Sequence, residues 1–180
     1  YYSLEKEAIP EWTKFLQGYY DNSGIISDSF DQAIQFSVEG AAQLTESMLE
    51  KGISLATAVT ASIAYMGFNM TDPVVGGDSE RARLLRRAIA IAVDYEEMIS
   101  IFRNGRGIAA QSPIPSGIFG HLSGAEGINP YVYDWRDGKA VRKSIDVARD
   151  LMRQAGYVNG LDTTTGDPLT LYFEAVSAGP

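Results

Sequence analysis

The stretch Glu80–Val93 constrains this chain more than any other. Leu84, Leu85, Ala88, Ile89, Ile91 and Ala92 recur there at helical spacing, while Arg83, Arg86 and Arg87 fall largely on the other side. Residues three and four apart share a helix face, so the pattern predicts an amphipathic helix with one buried stripe. Asp94 follows as a good N-cap, and Glu97 stands three residues on, close to a capping box. The helix is therefore expected to break near Asp94, with a cap worth about 1 kcal/mol. A second helix should run over Asp94–Arg103, with Met98, Ile101 and Phe102 inward and Gly105 as its stop. The same period returns in Ser144–Ala155: Ala148, Leu151, Met152 and Ala155 face in, Arg149 and Arg153 face out, and Gly156 closes the helix.

The remaining segments are less regular. Tyr1–Ile9 reads as a short strand. Pro10 then opens a helix that places Trp12, Phe15 and Leu16 on one face before Gly18. A helix is expected from Ser27 or Asp28 to about Val38, and another over Gln43–Lys51, closed by Gly52. Ile53–Met70 is rich in β-branched and aromatic residues, which predicts two strands or one strongly bent strand, with Gly67 as a weak point or bulge. Asp72–Gly77 reads as a loop. Gly107–Asp137, with Pro113, Pro115 and Pro130, reads as a long ordered loop. Gly166-Asp167-Pro168 should turn the chain into a last strand, Leu169–Val176.

Composition removes several function classes. The chain has 180 residues, enough for one domain or two small lobes. Lys plus Arg number 15 against 23 Asp plus Glu, a net charge of −8, which argues against a nucleic-acid groove. There is no cysteine, so disulfides, thiolate nucleophiles and Cys-based zinc sites are excluded. With a single histidine, any triad or histidine metal site must be built around His121. Hydrophobic residues make up 45%, enough for a core, yet no apolar run approaches the roughly 18 residues of a membrane span. Gly105-Arg106-Gly107 follows a helix and lacks the spacing of a dinucleotide loop, so it reads as a helix stop. Arg81, Arg83, Arg86 and Arg87 read as a solvated helix face.

One further segment stands apart, read either as two aromatics split between core and surface or as a strand with one face on a cleft. In Tyr65-Met66-Gly67-Phe68-Asn69, aromatics alternate around a glycine ahead of a loop. One side can pack while the other faces a cleft. Asn69 fits a turn equally well.

The order of these pieces resembles a known family. Tyr65–Asn69 is followed by Asp72-Pro73, then by Arg81–Ile99 with Ala88-Ile89-Ala90-Ile91-Ala92-Val93-Asp94-Tyr95-Glu96, then by Gly105, Pro113-Ile114-Pro115-Ser116-Gly117 and Ala148–Tyr157. This series is similar to the family 5 extracellular solute-binding proteins, the peptide-binding components of bacterial ABC importers. The chain departs from the pattern at Val158, where proline is usual, and around Asp72–Val75, where a Gly-Gly insertion follows.

The resemblance implies an α/β chain, a section of a two-lobe type II periplasmic-binding-protein fold with a mixed sheet and helices. It implies an internal section of a longer exported protein: residues 1–64 end the first lobe, 65–71 form a hinge strand and 72–180 begin the second lobe. It also implies a periplasmic location, no catalytic residue, no metal and no cofactor. The partners would be a small peptide or other solute and an inner-membrane permease. The expected ligand-proximal residues are Tyr65, Met66, Gly67, Phe68 and Asn69. Alternatives within the resemblance are a receptor that presents ligand to a membrane sensor, or a binder of opines, sugars or metal chelates. A third possibility is an enzyme built on His121.

Overall fold

The computed structural model describes residues 7–36 and 42–175. The chain divides into two compact units. The first comprises Tyr1–Thr60 with Glu96–Ile108, the second Ala61–Tyr95 with Ala109–Pro180.

In the first unit, α1 (Ala8–Leu16) buries Trp12, as its apolar spacing requires. Trp12 joins Phe30, Ala33, Ile34, Leu44 and Met48 in one core, with Phe15 and Leu16 packed against it. Ala8 and Ile9 are helical, which corrects the expected strand up to Ile9; the rest of that expectation, at 1–6, lies outside the described residues. The helix expected from Ser27 is also corrected. A 3-10 turn (Ser27–Ser29) leads into a single turn, α2 (Phe30–Ala33), and then β1 (Ile34–Phe36). Antiparallel β2 (Ala42–Leu44) pairs with β1, so Gln43 is in a strand and α3 starts only at Glu46 (Glu46–Glu50). Propensity lost to pairing here: Ile34 and Leu44 face each other across the ladder and are both buried.

The second unit is organised by α4 (Glu80–Ala92) and α6 (Ile145–Gln154). Ser79 caps α4, its Oγ accepting from the Ala82 N–H at 3.2 Å. Ala88 and Ile91 pack with Ala148, Val132 and Tyr133, while Leu84 and Leu85 pack with Ala155 and Tyr157. Leu151 and Met152 touch both clusters, so one face of α6 closes the whole stripe of α4. The break near Asp94 is present. Val93 is extended (φ −77°, ψ 108°) and α5 begins at Tyr95 (Tyr95–Arg103), all but its first residue belonging to the first unit. Met98, Ile101 and Phe102 are exposed rather than inward.

Two hairpins complete this unit. β3 (Tyr133–Arg136) pairs with β4 (Lys139–Arg142) through Asp137-Gly138, and β5 (Tyr157–Val158) pairs with β6 (Leu161–Asp162) through Asn159-Gly160. Both central residues of each loop have positive φ, 49° and 78° in the first, 52° and 78° in the second. That is the backbone of the tight turns matching strand twist, and Asp-Gly and Asn-Gly favour it. The expected mixed sheet is therefore replaced, among the described residues, by three separate two-stranded antiparallel sheets.

Two strand expectations fail. Ile53–Asn69 and Leu169–Ala175 contain no strand, because among the described residues no segment pairs with them in a ladder; Pro168 makes one isolated bridge, to Leu161. Val176 lies outside the described residues.

The arginines of α4 are not simply solvated. Arg81 Nη2 donates to Asp162 Oδ2 at 2.5 Å and its guanidinium lies 4.3 Å from the centre of the Tyr157 ring, tying α4 to the β5–β6 hairpin. Arg86 Nη1 donates to the carbonyls of Val75 (2.5 Å) and Gly77 (2.9 Å). Arg87 stacks at 4.1 Å on Tyr131. Only Arg83 keeps a loose contact, 3.8 Å from exposed Asp78.

Two outcomes follow from this packing. Leu85 is fully buried, so Leu85→Ala should cost about 2–5 kcal/mol in urea unfolding. Ile101→Ala, at an exposed site of α5, should cost no more than about 0.5 kcal/mol. Equal costs would contradict the assignment of the core.

A further outcome concerns acid. The N–H of Thr164 and the Arg81 guanidinium hold the Asp162 carboxyl below its ordinary 3.8. A carboxyl lowered by folding stabilises fully above the unfolded value and loses that contribution as pH falls through the lowered one. Stability should thus decline below about pH 4. Asp162→Asn should flatten that decline and lower stability at neutral pH, as read by thermal unfolding across pH.

Candidate functional site

The Tyr65–Asn69 segment is positioned by the turn that follows it. Asn69 Oδ1 accepts from the Thr71 N–H (3.0 Å) and hydroxyl (2.8 Å), and the Asn69 carbonyl accepts from Asp72 N–H at 3.1 Å. Asp72 Oδ1 accepts from the N–H groups of Val74 (2.8 Å) and Val75 (2.9 Å). Val74 and Val75 pack on the Leu84–Leu85 cluster, and Arg86 holds the carbonyls of Val75 and Gly77. The turn at 69–77 is thus anchored on α4, and the segment before it projects from that anchor.

Of the residues expected near ligand, Tyr65 is 84% exposed, Gly67 and Asn69 are exposed, and Met66 and Phe68 are half-buried. Exposure alternates from Tyr65 to Asn69. Among the described residues, no hydrogen bond ties the backbone of Tyr65–Phe68. The segment therefore offers unpaired peptide groups and an exposed phenol. Gly67 has an ordinary φ, and a Cβ there would meet only the Tyr65 ring edge at 3.9 Å. Asn69 takes the turn role.

A second feature escaped the sequence reading. The loop between α5 and β3 folds into a depression of about 410 Å³. Its walls include Ile114, Leu122, Ile128 and Tyr131, with Gln111 and Glu126 as polar members. Gln111 Oε1 accepts from the Asn129 N–H at 3.2 Å, and Asn129 Oδ1 accepts from the Tyr131 N–H at 3.1 Å. A Cβ on buried Gly127 would overlap the Leu122 carbonyl, so glycine lets these strands of loop meet. Lys143 Nζ donates to the carbonyls of Pro130 and Tyr133 and to Asp134 Oδ1, each within 2.9 Å. Lys143, and then Arg136, hold the Asp134 carboxyl below its ordinary range. The only available signal for this feature was the density of Gly and Pro in Gly107–Asp137.

Arg142 caps α4. Its Nη1 donates to the carbonyl of Val93 at 2.6 Å and reaches those of Ile91 (3.3 Å) and Ala90 (3.4 Å). Nη2 donates to the Tyr133 hydroxyl at 2.9 Å. A cation at the last turn meets both the orphan carbonyls and the negative end of the helix dipole.

His121 makes a structural contact: its Nδ1–H donates to the Ile114 carbonyl at 2.8 Å. Among the described residues there is no cluster of acidic and histidine side chains able to hold a metal ion, and no helix is long and apolar enough to cross a membrane.

No curated protein and no solved structure matches the chain. The family model of bacterial extracellular solute-binding proteins, family 5, matches it over residues 22–180, and the chain belongs to that family.

Proposed function

We propose that this protein captures small peptides outside the cytoplasm and delivers them to the permease of an ABC importer. The observation that carries the reading is the family match over residues 22–180. Membership in that family implies the substrate-binding component of ABC transport, and such proteins are in general not enzymes. Peptide as the solute, the periplasm as the location and the permease as the docking partner are parts of the proposal, as is a two-lobe trap closing on ligand.

Tyr65–Asn69 are the proposed ligand-proximal residues. The backbone of 65–68, without a hydrogen bond among the described residues, supports this, because an extended peptide is recognised through main-chain hydrogen bonds while its side chains remain variable. A ligand of this kind shifts an open–closed equilibrium only by its stronger binding to the closed form.

The solute class is tested by thermal shift with separate pools of di- to pentapeptides, sugars, opines and metal chelates. Peptides should raise the melting temperature, and the other pools should not. A rise with sugars or chelates alone would overturn the peptide assignment.

Gly67→Val tests the segment. There is room for the added side chain and no positive φ to strain, so the melting temperature should hold within a few degrees. Peptide affinity should fall at least about tenfold, or ~1.4 kcal/mol, because bulk is added where backbone meets ligand. A lower melting temperature with unchanged affinity would show that Gly67 serves only the fold.

A further inference from the structure

We propose that the depression formed by loop segments 111–114 and 120–131 binds a small apolar cation, an aromatic or branched aliphatic group bearing one protonated amine. The site is separate from Tyr65–Asn69 and does not depend on which solute that segment meets.

Size and surface come first. At about 410 Å³ the depression falls within the roughly 300–1,000 Å³ of small-molecule sites, which are mostly apolar with a few polar groups. Ile114, Leu122, Ile128 and Tyr131 supply the apolar wall. The wall is also pre-formed. Unrelated ties converge on it: Gln111 to Asn129, His121 to the Ile114 carbonyl, Lys143 to the Pro130 carbonyl and Arg87 on the Tyr131 ring. Little ordering cost is then left for the ligand to meet.

Charge selects the class. Glu126 is the only charged residue in the lining, and its carboxylate has no hydrogen-bond partner among the described residues. The Gln111 and Asn129 side-chain oxygens are already engaged in the wall. The Asn129 amide remains as a neutral donor, and the one charged group of the lining is an acceptor with a negative charge, which favours an ammonium over an anionic group. Arg87 already stacks on Tyr131, so the amine belongs at Glu126 and not on that ring. The net charge of −8 adds a weaker, salt-screened attraction for any cation.

The test is an NMR titration of the 180-residue chain with phenethylamine and with its neutral counterpart, phenethyl alcohol. The amine should bind saturably, with a dissociation constant on the order of 1 mM, and shift the amides of Gln111, Leu122 and 126–131. Glu126→Gln should weaken the amine about two- to five-fold, the range of an exposed ion pair, and leave the alcohol unchanged. Glu50→Gln, an exposed charge in the other unit, controls for net charge and should have no effect. Leu122→Ser, at an exposed wall position, should weaken both probes. High salt should narrow the gap between amine and alcohol. The proposal is overturned by any of three results: no saturable amine shift up to on the order of 10 mM, equal binding of amine and alcohol, or equal losses in Glu126→Gln and Glu50→Gln.

Discussion

The second unit depends on the burial of one face of α4 against α6. Leu84, Leu85, Ala88 and Ile91 form a stripe along α4, and Leu151 and Met152 of α6 join its two ends into one core. Non-directional burial of this kind sets the stability of the framework but not its details. The details come from directional contacts made by the flank of the same helix. Arg81 fixes the β5–β6 hairpin, Arg86 the turn at 69–77 and Arg87 the wall at Tyr131. One helix therefore packs a core and sets the positions of both candidate sites.

Arg142 completes this arrangement from outside the helix. Long helices end in carbonyls without partners, and a buried end must find donors. Here the donor comes from β4, so the β3–β4 hairpin is locked to the end of α4 by the same contact that satisfies it. Lys143, the next residue along, turns to the carbonyls of Pro130 and Tyr133. Adjacent cations thus serve the helix end and the loop wall.

The helices α4 and α6 and the break between α4 and α5 were legible because a 3.6-residue period and helix-ending residues are local signals. Gly105 and Gly156 take positive φ as those signals required. The strands of Ile53–Asn69 were misread because β-branched content shows compatibility with a sheet, while a strand exists only with a partner. The two hairpins were missed although Asp137-Gly138 and Asn159-Gly160 carry the turn chemistry, since their strands are very short. The inward face expected on α5 failed for a different reason: the period marks an apolar side but not what covers it, and Ile101 and Phe102 stay exposed. At the candidate sites, Tyr65–Asn69 stood out as residues, whereas the depression is built by long-range ties such as Gln111–Asn129 and Arg87–Tyr131 that no local pattern contains.

Amide hydrogen exchange under native conditions tests the central claim, that a rigid α4–α6 framework carries a segment, 65–68, whose backbone has no hydrogen bond among the described residues. Amides of Leu84–Ile91 and Ala148–Met152 should be the slowest in the second unit and share one opening free energy, while those of 65–68 exchange near the rate of free peptide groups. Slow exchange at 65–68 matching α4 would mean that this segment is paired in a sheet. Fast exchange in α6 beside slow exchange in α4 would mean that the two helices do not form one framework.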